Sequence, residues 1–246
     1  MNLVIPMAGR GSRFEKEGYE RPKFLLTIED KTLLEYSVES LPFRAANKII
    51  FILLREHEEE WNVSEFIKSK YGDLQLEFVF LNDVTRGQSE TVLAAESIIN
   101  NDEQLLIYNI DTYFRSNTLE KNVLSQDCDG YIGAFEDEED KWSFAKTDEN
   151  GWVIETTEKV PISSNALTGM YHFSKGKDFV RVAKNAIENN DKVKNEFYIA
   201  PLYNQLIQEG KKFKLDFVAD FVALGTPQDF KHAKSEKRNN LNSSKS

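Results

Sequence analysis

Four short apolar runs, at residues 3–7, 49–54, 76–81 and 105–110, alternate with stretches of helical period through the first half of the chain. The run at 49–54 is apolar without interruption, as in a strand buried on both faces, and the run at 105–110 stops at Asp111. Between the runs, residues 32–41 set Leu33, Leu34, Val38 and Leu41 on one helical face. Residues 57–70 turn Trp61, Phe66 and Ile67 inward, and residues 89–99 read as a further helix. Strand-then-helix steps of this kind make right-handed crossovers, so the alternation predicts parallel strands with helices on both faces.

The second half changes character. Strands are expected at 131–135, 142–146, 152–156 and 167–173, and the middle two flank Asp148-Glu149-Asn150-Gly151, whose Asn-Gly pair signals a hairpin. Helices at 177–189 and 198–209, a strand at 213–218 and a short helix after Pro227 complete the reading. The expected fold class is α/β, a three-layer α/β/α architecture around a mostly parallel mixed sheet. No Pro- or Gly-rich linker and no repeat interrupts the chain. Residues 1–234 are therefore expected to form one domain, with halves at 1–127 and 128–234, and residues 235–246 to be a disordered polar tail.

Composition excludes several classes of function. One cysteine, Cys128, cannot pair within the chain, and three histidines with one cysteine make no zinc spacing, so a reducing cytoplasm is expected. No basic start precedes the apolar run at 3–7, and no stretch approaches the ~18 residues of a membrane span, so export and membrane insertion are not expected. A net charge of −10 opposes nucleic acid or an anionic membrane as partner. The charge is unevenly spread: residues 1–23 and 235–246 each carry +2, so the segment between them holds −14. An acidic body that displays one basic, glycine-bearing segment suits an anionic small molecule.

That segment is the first apolar run entering Ala8-Gly9-Arg10-Gly11-Ser12-Arg13-Phe14, followed by Arg21-Pro22-Lys23. Glycines at 9 and 11 let successive N–H groups point at phosphate oxygens, and Arg13 and Lys23 can close over the same anion. At roughly 1.5–3 kcal/mol for each charge-assisted bond, several together can hold a triphosphate. Two familiar glycine loops do not fit. A dinucleotide fingerprint needs glycine where Phe14 stands and an acid where Arg55 stands, and no Gly-Lys-Ser/Thr follows as in a Walker loop.

Gly-x-Gly-Ser-Arg after an N-terminal strand, with Pro-Lys some ten residues later, resembles the signature of the sugar-phosphate nucleotidylyltransferases, or nucleotide-sugar pyrophosphorylases. The resemblance implies their nucleotide-diphosphosugar-transferase-like fold and the joining of an NTP to a sugar 1-phosphate, giving an NDP-sugar and pyrophosphate. It also implies Mg2+ as cofactor and a role in surface polysaccharide or glycan precursor synthesis. Arg13 and Lys23 are then the catalytic pair, acting at the departing pyrophosphate and the α-phosphate, while Ala8, Gly9, Arg10, Gly11 and Ser12 bind the nucleotide.

Further segments extend the likeness. Gly87-Gln88-Ser89 is similar to the family's Gly-Thr-Ala segment, where a helix start meets the nucleobase, and Asn109 precedes Asp111, which matches a magnesium aspartate. Glu158-Lys159, ahead of Thr168-Gly169-Met170-Tyr171, resembles the family's Glu-Lys-Pro before a Gly-x-Tyr strand, and Glu196 resembles a later glutamate on the sugar. Glu158, Lys159, Thr168, Gly169 and Glu196 are thus the implied acceptor-binding residues. Leu224-Gly225-Thr226-Pro227 is similar to the closing motif, but its second metal aspartate is replaced by Ala223, which leaves Asp220 as the remaining candidate. Val160 stands in place of the proline, and no glutamine precedes Gly87 within three residues, so the nucleobase stays open.

Each residue also has a plain structural reading: Asp111 as a helix cap, Lys159 as an exposed lysine, Glu196 as a charge on a helix N-terminus, and Gln88 and Ser89 as a helix start. Their order along the chain favours the functional one. Three alternatives remain open at this stage: a cytidylyltransferase using a non-sugar phosphate, a glycosyltransferase on a related fold, and a non-catalytic nucleotide-sugar binding protein. Whether the chain self-associates is not legible.

Overall fold

The structure, a computed structural model, describes residues 1–125 and 127–243. Its first half runs β1 (Asn2–Pro6), α1 (Ser12–Lys16), β2 (Thr27–Ile28), β3 (Lys31–Thr32), α2 (Leu33–Glu39), β4 (Lys48–Leu54), α3 (Arg55–Trp61), α4 (Val63–Tyr71), β5 (Leu76–Leu81), α5 (Gln88–Leu93), α6 (Glu96–Ile99), β6 (Leu105–Tyr108), β7 (Thr112–Arg115) and α7 (Leu119–Ser125). The second runs β8 (Gly130–Glu136), β9 (Ser143–Thr147), β10 (Val153–Glu158), β11 (Asn165–Phe173), α8 (Gly176–Glu188), α9 (Tyr203–Gln208), β12 (Phe213–Phe217), β13 (Asp220–Ala223) and α10 (Pro227–Ser243).

The four apolar runs of the first half become neighbours in the order β6-β1-β4-β5, all parallel. Alternate side chains of these strands leave on opposite faces, and each face has its own core. Val4, Ile50, Ile52 and Ile107 pack with Val92, Ala95 and Ile99 of the α5–α6 region and with Phe179 and Val182 of α8. Leu3, Ile5, Phe51 and Leu106 pack with Leu34 and Val38 of α2, Val63 and Ile67 of α4, and Leu119 and Val123 of α7. An uninterrupted apolar strand such as β4 therefore marks burial from both sides, and the three layers follow.

Strand β11 joins the halves. Antiparallel β8 runs along one edge of it; along the other it meets β9 at Ala166 and β6 over Met170–Phe173. Between those partners, Leu167, Thr168 and Gly169 lie where β11 changes neighbours, beside the carboxyl ends of β1 and β6. Such switch points are where open α/β sheets bind ligands. A ribbon of β7 and β13 borders this point, with Ala223 opposite Thr112 and Asp220 opposite Arg115.

The helices depart from their expected bounds in four places. Residues 57–70 form two helices because Asn62 is left-handed (φ 48°), and Glu58 receives the N–H and hydroxyl of Ser64 at 2.8 and 2.6 Å. Residues 89–99 also divide, into α5 and α6. Residues 198–209 start with a 3-10 turn, Ala200–Leu202, that contains Pro201. The helix after Pro227 is long: it continues to Ser243 through most of the stretch expected to fray, and residues 244–246 lie outside those described. No described helix is long and apolar enough to cross a membrane.

One core residue makes stability depend on pH. His172 of β11 is buried, its Nδ1 accepts the N–H of Tyr131 at 3.3 Å, and burial depresses its pKa to about 3. An unfolded histidine titrates near 6.5, so above that pH both states are neutral and nothing is lost. Below it only the unfolded chain takes the proton, and stability falls by about 1.4 kcal/mol per pH unit down toward the folded value. His57, buried and likewise depressed by burial, adds in the same direction. Urea midpoints at pH 7.5 and 5 are expected to differ by about 2 kcal/mol of stability, with a shallower dependence in His172→Gln. Equal midpoints at the two pH values would contradict a neutral buried His172.

Candidate active site

A cleft of about 820 Å³ opens at the switch point of β11 and is lined from both halves of the chain. Its first wall is the loop after β1. Met7 keeps sheet pairing, its N–H donating to Ile52 at 2.9 Å, and the chain then turns through Ala8 and Gly9, which line the cleft. Gly11 is left-handed (φ 73°), a conformation in which glycine carries no Cβ penalty, and there α1 begins. Gly11 and Ser12 line an adjoining hollow of about 250 Å³, together with Arg13, Lys23, Asp111 and Gly225. Arg13 and Lys23 line both spaces.

Lys23 reaches across to Asp111, its Nζ 3.2 Å from Oδ2, with both side chains partly open to solvent. Asp111 is held from behind, since its carbonyl accepts the N–H of Leu224 at 2.8 Å. A Cβ on Gly225 would stand 3.3 Å from the Asp111 carboxylate, so the closing Gly-Thr segment leaves that carboxylate room. Among the described residues no group of three or more His, Cys, Asp or Glu side chains could hold a metal by itself. Magnesium bound chiefly through substrate phosphates needs only one or two protein carboxylates, and Asp111, which lines the cleft, could supply one.

The opposite wall comes from the second half. Glu158, at the end of β10, is buried at 6 % exposure and accepts the Ser143 hydroxyl. Burial, reinforced by the Glu196 charge, pushes its carboxyl above the usual range. Lys159 follows in a left-handed conformation (φ 56°), fixed by its N–H to the Trp142 carbonyl at 2.9 Å. Its ammonium lies 2.5 Å from the Tyr198 hydroxyl and 4.7 Å from that ring's centroid. Burial, with Glu196 and Glu158 nearby, raises the Tyr198 phenol well above its ordinary value. Glu196 lines the same wall, and the floor holds Asn109, Thr168 and Gly169. Gly169 is left-handed (φ 87°), and a Cβ there would come within 2.8 Å of the Asn109 amide nitrogen.

Three residues expected in the site are not in it. Arg10 points elsewhere: its guanidinium is held by Glu56 at 3.0 Å and Asp83 at 3.1 Å on the surface. Ser89 is wholly buried and lines no part of the cleft; its N–H and its hydroxyl both donate to the Phe197 carbonyl, each at 3.0 Å. Gly87 and Gln88 beside it do line the cleft. Asp220 is exposed on the ribbon and pairs with Arg115 at 3.2 Å. It sits three register positions beyond the Ala223–Thr112 pair, roughly 10 Å along the strand, so it does not stand in for the missing carboxylate. Asp220→Asn is accordingly expected to keep wild-type turnover and metal dependence, as a magnesium titration of initial rates will show; a raised magnesium requirement would return Asp220 to the site.

Sequence reasoning passed over other lining residues, among them Trp142, Ser143, Tyr198 and Asp229. Asp229 had a signal: Thr226-Pro227-Gln228-Asp229 forms a capping pair in which Thr226 Oγ1 donates to Asp229 at 2.7 Å and accepts the Asp229 N–H at 3.1 Å.

Comparison with known proteins gives the family. Residues 3–148 match the family model described as a MobA-like NTP transferase domain, which covers the glycine loop, Lys23 and Asp111 but ends before Glu158. The bifunctional protein GlmU of Methanococcus vannielii is 31 % identical over 120 residues, 49 % of this chain and 27 % of that protein, so the match spans little more than a quarter of the relative's length. The UTP–glucose-1-phosphate uridylyltransferase AglF of Haloferax volcanii is 25 % identical over 182 residues, covering 71 % of this chain and 72 % of its own. A solved structure named as a nucleoside-diphosphate-sugar pyrophosphorylase from Vibrio cholerae RC9 is 33 % identical and superposes with a TM-score of 0.81, covering 94 % of this chain and 98 % of that one. This chain belongs to the MobA-like NTP transferase family and is a nucleotidyltransferase.

Proposed function

We propose that the chain joins an NTP to a sugar 1-phosphate, releasing pyrophosphate and an NDP-sugar. One observation carries the reading. A single cleft has a glycine loop with Arg13 and Lys23 from the first half of the chain and, from the second half, a further cation, Lys159, beside the buried carboxylate of Glu158. Two separated cationic groups suit two phosphates, and a carboxylate next to the second suits the hydroxyls of a sugar.

An acceptor phosphate oxygen attacks the α-phosphorus, and the bond from that phosphorus to the pyrophosphate oxygen breaks. The nucleophile is already an anion, so no base or covalent intermediate is needed; the obstacle is repulsion between anions. Lys159 holds the acceptor phosphate, Lys23 offsets charge at the α-phosphate, and Arg13 with the backbone of 8–12 takes the departing pyrophosphate. Asp111 would hold magnesium that arrives with the nucleotide, and the ion would further neutralise phosphate charge. Positioning and fixed charge account for most of the rate. The product, an activated sugar, is a donor for glycan assembly.

The test is a panel of NTPs against sugar 1-phosphates and phosphorylated alcohols, with magnesium, read by pyrophosphate release and product mass. The expected result is an NDP-sugar from at least one pair. Product only with a phosphorylated alcohol would replace the sugar, and no pyrophosphate from any pair would leave a binding protein.

A further inference from the structure

The wall that carries Gly87 and Gln88 and the wall that carries Glu196 and Tyr198 meet along a seam of backbone at Phe197. Phe197 is buried between Arg86, whose carbonyl accepts the Phe197 N–H at 3.0 Å, and Ser89, which donates twice to the Phe197 carbonyl. The approach is so close that only glycine fits at 87. Its φ is 146°, and a Cβ there would lie 2.3 Å from the Phe197 nitrogen and 2.6 Å from its oxygen. Arg86 and Lys192 both stand over the Phe197 ring, at 5.1 and 5.2 Å.

Each end of the seam enters the cleft. Gly87 and Gln88 line it just ahead of Ser89; Glu196 and Tyr198 line it on either side of Phe197, and Tyr198 holds the Lys159 ammonium. The loop that brings Glu196 and Tyr198 there has three non-glycine residues in left-handed conformation, Asn190, Lys194 and Asn195. Within it, Val193 and Glu196 exchange backbone bonds at 3.0 and 2.9 Å. Left-handed conformations at such residues persist only when surrounding contacts hold them, and the Phe197 seam is such a contact.

We infer that Ser89 is a positioning residue that couples the two halves of the site: a nucleotide bound against Gly87 and Gln88 fixes the 190–198 loop and so sets Tyr198 and Lys159 for the acceptor. The inference rests on the nucleotidyl-transfer reading above. It assigns Ser89 to a tie between residues 108 positions apart in sequence rather than to the nucleotide itself. By reciprocity of coupled sites, the acceptor also tightens the nucleotide by the same factor.

The experiment is hydrogen–deuterium exchange on the whole protein, without acceptor, with each of UTP, CTP, ATP, GTP and dTTP plus magnesium, in wild type, Ser89→Ala and Ser89→Thr. In wild type the expected result is slowing of amide exchange at 8–13 and, by about fivefold or more, at 193–198. Ser89→Ala keeps the first effect and weakens the second, because the hydroxyl bond is lost while the backbone bonds of the seam remain, and Ser89→Thr, which retains the hydroxyl, restores it. A wild type protected at 8–13 but not at 193–198 overturns the coupling alone, and equal protection at 193–198 in wild type and Ser89→Ala overturns the part assigned to the Ser89 hydroxyl. Absence of protection with every nucleotide overturns the nucleotidyl-transfer reading and the coupling with it. Wild-type data decide the coupling even where Ser89→Ala fails to fold, and Ser89→Cys, nearly the same size with a weaker donor, then tests the hydroxyl.

Discussion

Lys23→Ala is expected to lower kcat by about 10²–10³-fold, the usual loss when one fixed donor is removed from charge that develops in a transition state. The loss falls on kcat rather than on KM for the nucleotide, because charge gathers around the α-phosphorus only as the acceptor oxygen approaches and the pyrophosphate departs. Folding responds little. The Lys23–Asp111 pair spans 3.2 Å, but the side chains are 20 % and 34 % exposed. An ion pair this wetted contributes about 0–1 kcal/mol, and the carboxylate it leaves behind remains hydrated. Steady-state kinetics with the pair found active, beside a urea melt, separates the two quantities. A kcat equal to that of wild type would remove Lys23 from the chemistry, and a large fall in the urea midpoint would make its role structural.

The fold was more legible than the site, for a physical reason. Buried parallel strands are apolar on both faces, so the runs at 3–7, 49–54, 76–81 and 105–110 announce themselves without knowledge of their partners. The loop after β1 stood out for a similar reason: its glycines, Arg13 and Lys23 lie within one short segment, and they line the cleft and the hollow beside it. What sequence misjudged depends on long-range register. Asp220 is close to Ala223 in sequence, but on an extended strand paired with β7 three residues become roughly 10 Å, away from Asp111. Ser89 at the start of a helix beside Gly87 resembles a ligand-binding hydroxyl, and only the arrival of Phe197 from the far half shows where its bonds go. Arg10 carries the same lesson for charge: Glu56 and Asp83, distant in sequence, claim its guanidinium. Tyr198 was passed over because an aromatic beside a charged residue has no signature until Lys159 meets it.

Lys159→Met is expected to lower kcat/KM for the acceptor by about 10–10²-fold while KM for the nucleotide holds, since a charge-assisted contact of roughly 1.5–3 kcal/mol is withdrawn from one substrate only. The ammonium is already oriented before any phosphate arrives. Its backbone is fixed to Trp142 at 2.9 Å, and its head group is held against Tyr198 by a hydroxyl contact at 2.5 Å and by the ring face at 4.7 Å. Orientation in advance reduces the rotamer entropy that a free lysine would lose on binding. Tyr198→Phe therefore has a smaller effect than Lys159→Met: it keeps the ring beneath the cation and deletes only the hydroxyl. Lys159→Arg restores little, because a planar fork does not reproduce a compact ammonium at this spot. The order of the losses is the decisive readout. If Tyr198→Phe costs as much as Lys159→Met, the hydroxyl itself meets the acceptor. If neither changes kcat/KM, the acceptor phosphate lies elsewhere in the cleft, and Glu158 with Ser143 no longer marks the sugar side.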